Sequence, residues 1–284
     1  MYTSFDNQYE AGKQKVGYVG GKTIVMVAGE ITIHSEAIKR VLADFKDNVN
    51  ARPEDITAAY GRAIQDIKAR QAEGLFLSPL GMNSDTFLAQ QHDFQESFIH
   101  KITDQLQGYV GDDVDAIVVG SDGSSVRLFT IDKHGLSYRQ DDIGFAAIGI
   151  GGWHARSRLM QGGFHPNVYF ADAIAAVYAA KKSAEAAPGV GLYTDMHIVL
   201  RDQMFPVWPE MQTRLAELYD VYEDRRKKIA AECIEELRRF KLKAQHETKQ
   251  KQESDGENPP SHGGTSSNAA QTAQSTQEGK TGGL

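Results

Sequence analysis

Apolar positions along the first 205 residues change their period several times, and each change marks a change of element. Lys22-Thr23-Ile24-Val25-Met26-Val27-Ala28-Gly29 is a short β-branched apolar run closed by glycine, the pattern of a buried strand. From Ser35 to Asn48 the apolar residues Ala37, Ile38, Val41, Leu42 and Phe45 fall at helical spacing. Pro53-Glu54-Asp55 opens a second helix, with Ile56, Tyr60, Ile64 and Ile67 on its apolar face. After a break containing Gly and Pro at Gly74–Asn83, a third helix is predicted over Phe87–Leu106.

The period then falls to two. Val114–Val119 and Val126–Asp132 read as strands joined by a turn at Gly120-Ser121-Asp122-Gly123. Lys133-His134-Gly135 turns again, and Asp142–Ile150 is predicted to return as a third strand. An alanine-rich helix over Tyr169–Ala186 and a final strand over Leu192–Leu200 complete the series. Strands, helices, strands, helix, strand is the order of an α+β fold, with helices layered on a largely antiparallel sheet.

Beyond residue 205 the chain reads differently. Trp208-Pro209-Glu210 looks like a helix start, and Met211, Leu215, Leu218, Tyr222, Ile229, Cys233, Leu237 and Phe240 recur at steps of three, four or seven. One stripe of a helix about 40 residues long, hence about 60 Å, collects them. A body of 205 residues has a diameter of roughly 45 Å by the usual scaling. The stripe therefore predicts burial by another chain, as in a coiled coil, with a long helix lying across its own domain as the alternative. The last 30 or so residues are mostly Gly, Ser, Thr, Gln and Asn, and too little apolar surface is present to offset their ordering entropy. The expected organisation is a body over 1–205, an amphipathic helix over 206–252 and a disordered tail over 253–284.

Composition narrows the function. Of 284 residues, 24% are charged and 40% hydrophobic, with no apolar stretch long enough to span a bilayer and no basic-then-apolar leader at Met1–Asp6. No membrane association is expected, and Cys233 as the only cysteine favours a reducing, cytoplasmic setting. The net charge of −7 argues against nucleic acid. Glu210–Lys251 carries 11 basic and 9 acidic residues, which leaves −9 for the remainder. Its densest basic run, Arg225-Arg226-Lys227-Lys228, reads as a solvated helix face. Gly149-Ile150-Gly151-Gly152 lacks the basic residue of a phosphate-binding loop, and His154, His165 and His197 match no ligand spacing, so neither a cofactor nor a metal is called for.

Several blocks together carry a resemblance. Phe5-Asp6-Asn7-Gln8-Tyr9-Glu10-Ala11-Gly12, Lys15-Val16 and the strand ending Ala28-Gly29 resemble the early part of proteasome β-type subunits. So do the hairpin Asp115–Gly135, Ile148-Gly149-Ile150-Gly151-Gly152, the alanine-rich helix and Gly191-Leu192-Tyr193-Thr194-Asp195. Over about residues 1–200, with an apparent insertion between Gln71 and Leu106, the chain looks closest to the bacterial proteasome-like peptidases of the N-terminal-nucleophile hydrolase superfamily.

The resemblance implies a four-layer αββα sandwich, assembly into homo-oligomeric rings, and peptide or unfolded-protein substrates cut by an N-terminal threonine. The threonine's own α-amine is the base, which is chemically sensible because an amine with a pKa near 8 is partly deprotonated at neutral pH. By the resemblance, Asp6 takes the family's acidic position, Lys15 (with Lys13 competing) its lysine, and Gly29 the glycine whose N–H forms the oxyanion hole. A surface acid, a surface lysine and a strand-ending glycine explain the same three residues without catalysis.

The match has gaps. Ile150 stands where the family usually has serine, and the usual Asp and Ser near Glu185 and Pro188 are not evident. Met1–Asp6 reads as the second strand entered midway, so the strand bearing the nucleophile is expected roughly 15 residues upstream. Thr3 is about 10 Å along the same strand from Asp6, and cleavage before Thr23 would discard Asp6 and Lys15, so neither threonine replaces it. A threonine-type peptidase subunit, a ring-forming subunit without catalysis and an unrelated α+β binding module remain open.

Overall fold

The computed structural model describes residues 2–4, 7–9, 15–46, 48 and 50–256; the two N-terminal stretches and parts of the last helical turns are described as backbone only. The chain divides into two compact units, Met1–Val221 and Tyr222–Leu284.

In the first unit, β1 (Tyr2–Ser4) and β2 (Asn7–Tyr9) form a two-stranded antiparallel sheet. A second sheet contains β3 (Val16–Val19), β4 (Thr23–Gly29), β5 (Val114–Ser121), β6 (Val126–Ile131) and β7 (Ser137–Arg139) in that spatial order. Every pairing in it is antiparallel. Because side chains alternate across a strand, the pairs Val25–Val118 and Val27–Ala116 send both members to one face. That face is covered by α1 (Ile31–Phe45) and α2 (Pro53–Phe76). Ile33, Ala37 and Val41 from α1 and Ile56, Tyr60 and Ile64 from α2 join these strand residues in one core.

The segment 77–107 builds a small core of its own. Leu77, Phe87 and Ile102 are buried together, with Phe94 and Phe98 packed against them. The single helix expected over Phe87–Leu106 is broken into α3 (Ser84–Gln90) and α4 (Glu96–Gln107), with a 3-10 turn at Gln91–Asp93 between them. The break lets Phe94 stack on Phe87, at 6.3 Å between ring centres.

The far face of the sheet carries the rest. The strand expected over Asp142–Ile150 is absent; the hairpin partner of β6 is Ser137–Arg139, and 140–151 is loop. Asp141 explains why pairing stops there: its Oδ1 accepts from the Leu128 N–H at 2.8 Å and its Oδ2 from Arg139 Nε at 2.7 Å. After α5 (Gly152–Gln161) and α6 (Phe170–Ala184), the expected last strand shortens to β8 (His197–Val199). It pairs with β9 (Met204–Pro206), which its apolar pattern alone did not announce.

This hairpin is fixed to the main sheet by Ser121 Oγ, which donates to the Arg201 carbonyl at 2.6 Å. On its other side, Ile174 of α6 is buried with Ile198 and Val207. The layers are therefore helix pair, five-stranded sheet, short hairpin and helix pair. This is the αββα arrangement of the N-terminal-nucleophile hydrolases, with a long C-terminal helix, α7 (Pro209–Gly256). Residues 253–256, expected in the tail, continue α7, and the tail from 257 lies outside the described residues.

Candidate functional site

The site implied by the sequence centres on the end of β4. Gly29 has φ +97°, and a Cβ there would lie 2.0 Å from the Asp113 carbonyl oxygen. Only glycine fits a conformation and an approach of that kind. The Val27 N–H donates to the Lys15 carbonyl at 3.0 Å, whereas the Glu30 N–H donates to the Asp113 carbonyl at 2.9 Å. Amides alternate sides along an antiparallel strand, so the Gly29 N–H points to the β3 side, past Lys15, and not toward β5. Gly29 is exposed, and so is Lys15. Lys15 is thus tied by its backbone two residues before Gly29; Asp6 lies outside the described residues.

Three buried groups hold this strand end. His34 Nε2 lies 2.8 Å from the Ala28 carbonyl, and His34 Nδ1 lies 2.7 Å from Tyr60 Oη. A carbonyl only accepts, so Nε2 carries the proton and Nδ1 accepts from the tyrosine hydroxyl. Burial lowers the His34 pKa, against an opposing contribution from the Ala28 hydrogen bond, and burial also raises that of Tyr60. Lys68, on α2, donates from Nζ to the carbonyls of Val110, Asp112 and Lys133 at 2.8, 2.8 and 2.6 Å. Its three donors are all used, and they pin the loop whose Asp113 carbonyl closes on Gly29.

The glycine-rich block comes to the same place. A Cβ on Gly149 (φ +75°) would lie 3.0 Å from the Ala28 Cβ, and one on Gly151 would lie 2.9 Å from Ala184 at the end of α6. The block therefore works as a tight turn between strand and helix packing, closed by the Gly152 N–H on the Gly149 carbonyl at 2.9 Å. Ile150 at its apex is 64% exposed and brings no hydroxyl to the site.

Asp115 is the group that sequence reasoning missed. It pairs with Ala28 across β4–β5 and its carboxylate accepts from the Gly149 backbone. Burial first, then the nearby Asp113 and Asp132, push its pKa up, while Arg156 and the Gly149 hydrogen bond pull it down. The signal was available: Asp115 is the one charged residue in the otherwise apolar strand Val114–Val119.

The other candidates lie elsewhere. Thr23 is fully buried at the opposite end of β4, six residues from Gly29, and is unavailable as a nucleophile. His197 Nδ1 is 3.0 Å from Tyr18 Oη, and its Nε2 is 2.9 Å from Asp195 Oδ1. His165 Nδ1 accepts from the Asn167 N–H at 3.2 Å. Among the described residues, no three His, Cys, Asp or Glu side chains are grouped to hold a metal ion. No described helix is long and apolar enough to cross a membrane.

No protein-family model matches the chain, and no curated protein matches it in sequence. Among solved structures it is similar to "Anbu (ancestral beta-subunit)" from Yersinia bercovieri, with a TM-score of 0.50 and 11% identity over 78% of this chain and 85% of that one. An Anbu (Gly-1) mutant from Hyphomicrobium sp. strain MC1 gives a TM-score of 0.48 and 13% identity over 77% and 87%. These findings correct the likeness drawn from the sequence blocks, which placed the chain closest to the bacterial proteasome-like peptidases. No family model supports that membership, and the Yersinia bercovieri structure, at 11% identity, shares the fold alone. In this chain the glycines of those blocks answer to packing, Gly29 against the Asp113 carbonyl and Gly151 against Ala184, which any tight strand end or turn demands.

Proposed function

We propose that the chain is a proteasome-like subunit acting in peptide-bond hydrolysis of the threonine type, within a homo-oligomeric ring that takes peptides or unfolded protein. One observation carries the reading: the exposed Gly29 amide is turned to the β3 side of the sheet, the side on which Lys15 holds Val27, on a strand end held by His34 and Lys68. A fixed backbone donor of that kind stabilises the negative charge that develops on a carbonyl oxygen during acyl transfer. A lysine ammonium beside it lowers the pKa of a neighbouring amine or hydroxyl, which favours the nucleophilic form. The description of the Yersinia bercovieri protein as an ancestral beta-subunit supports this reading.

Lys15, Gly29 and, in the same proposal, Asp6 supply the electrostatic part of the site and not the nucleophile. The α-amine and hydroxyl of the mature protein's first residue are to supply that. A second reading, a ring-forming subunit without catalysis, is favoured by Ile150, whose side chain offers no hydrogen bond to such an amine. Mass spectrometry of the mature protein from its natural source, after exposure to an electrophile selective for N-terminal threonine, separates the two. A threonine N-terminus carrying the adduct supports hydrolysis. An unmodified protein with another N-terminus, assembled in rings, supports the second reading.

A further inference from the structure

The second unit holds the distal part of α7, and its surface is not that of a solitary helix. Ile229, Leu237 and Phe240 are 60, 69 and 73% exposed. Leu218, Ile229 and Phe240 follow one another at intervals of 11 residues, as do Met211, Tyr222 and Cys233. An 11-residue repeat is 3.67 residues per turn, so the stripe stays on one side of a nearly straight helix or winds slightly right-handed around a partner.

Charge along the same segment is sorted into four blocks. Glu217, Asp220, Glu223 and Asp224 are followed by Arg225-Arg226-Lys227-Lys228. Glu232, Glu235 and Glu236 come next, and then Arg238, Arg239, Lys241 and Lys243. No block contains a charge of the other sign. Within one helix the block boundaries already supply pairs three residues apart, Arg226–Glu223 at 2.7 Å and Arg238–Glu235 at 3.2 Å, so what distinguishes the blocks is their order along the axis.

The order acid, base, acid, base is self-complementary only when read backwards. We infer that this segment pairs antiparallel with the same helix of a second copy of the chain, about a two-fold axis level with Ala231. In that register the Arg225–Lys228 block meets the partner's Glu232–Glu236 block, and Glu217–Asp224 meets Arg238–Lys243. Tyr222 lies level with the partner's Phe240, and Ile229 with the partner's Cys233. A parallel pair in register sets each block against itself, with like charges across the interface. Two-fold closure also limits the assembly at this surface to two chains. The inference does not depend on whether the body is catalytic.

The test uses the full chain with Cys233→Ser, carrying either Tyr222→Cys or Phe240→Cys. Residues 222 and 240 are 18 positions apart, about 27 Å along a helix. In the antiparallel pair, therefore, each variant alone leaves its two thiols far from each other. Mixed and oxidised, the two variants should give a disulfide-linked species joining residue 222 to residue 240, identified by peptide mass. Self-linked dimers of each single variant, without the mixed species, would establish parallel pairing and overturn the inference. No disulfide in any mixture, with each variant helical by circular dichroism, would overturn it as well.

Discussion

Tyr60 Oη stands 2.7 Å from His34 Nδ1 in a site that water does not reach, and the other nitrogen of the same ring holds the carbonyl that precedes Gly29. Two helices and one strand are thus joined through a single neutral imidazole. Its pKa is lowered from 6.5 by burial, so the unfolded chain takes up a proton before the folded one does. Stability should accordingly fall as pH drops below about 6.5. Tyr60→Phe should cost about 1–2 kcal/mol by leaving Nδ1 unpaired. His34→Leu should cost more, since both the Ala28 carbonyl and the Tyr60 hydroxyl lose a partner, but should remove this part of the acid sensitivity. Urea melts of the three proteins between pH 5 and 8 check both points.

Lys68→Met should destabilise the body by about 3 kcal/mol, because three inward-facing carbonyls then compete for whatever water can enter. Hydrogen exchange should show the loss first in 110–113, the loop that closes on Gly29. Lys68→Arg should not rescue it, since a planar guanidinium cannot point three donors at carbonyls arranged around one nitrogen.

Gly29→Ala is expected to be among the most damaging single changes in the chain. The new methyl would meet the Asp113 carbonyl at 2.0 Å, and the φ of +97° is closed to alanine without strain. A loss of about 3 kcal/mol or more by chemical denaturation is the expected result. A neutral outcome would show that β4 and the 110–113 loop separate easily.

Asp115 has the opposite sign from His34. Its folded pKa is raised, so the native state holds the proton longer than the unfolded chain, and this contribution to stability falls as pH rises through that interval. Asp115→Asn should raise the melting temperature at pH 7 by a few degrees and leave it nearly unchanged well below pH 4. A loss at neutral pH would mean that the Gly149 hydrogen bond outweighs desolvation.

The parts of the fold legible in the sequence were those whose burial depends on local pattern. Thr23–Gly29 is mostly apolar, with β-branched Thr23, Ile24, Val25 and Val27, because most of its side chains are buried, and Pro53 marks the first residue of its helix. The breaks were harder. Nothing in the 87–106 periodicity announces the 3-10 turn at Gln91–Asp93, which exists because Phe94 finds Phe87. Asp142–Ile150 alternates well enough for a strand, yet Asp141 ends the ladder by spending its carboxylate on Leu128 and Arg139. Within the site, Gly29 was legible as a strand-closing glycine. The support from His34 and Lys68 was not, because it is made by side chains reaching across 6 and more than 40 residues to backbone carbonyls.

The proposal that this strand end is a hydrolytic site rests on Lys15, and Lys15 can be removed cleanly. Its side chain is exposed, so Lys15→Ala should leave the melting temperature within about 1 °C of the parent. The decisive measurement is the rate of fluorogenic-peptide hydrolysis by the mature assembled protein and by its Lys15→Ala variant. A drop of about 100-fold or more in kcat, at unchanged melting temperature and oligomeric state, is the expected result. Equal rates in the two proteins, or no hydrolysis by the parent, would contradict it.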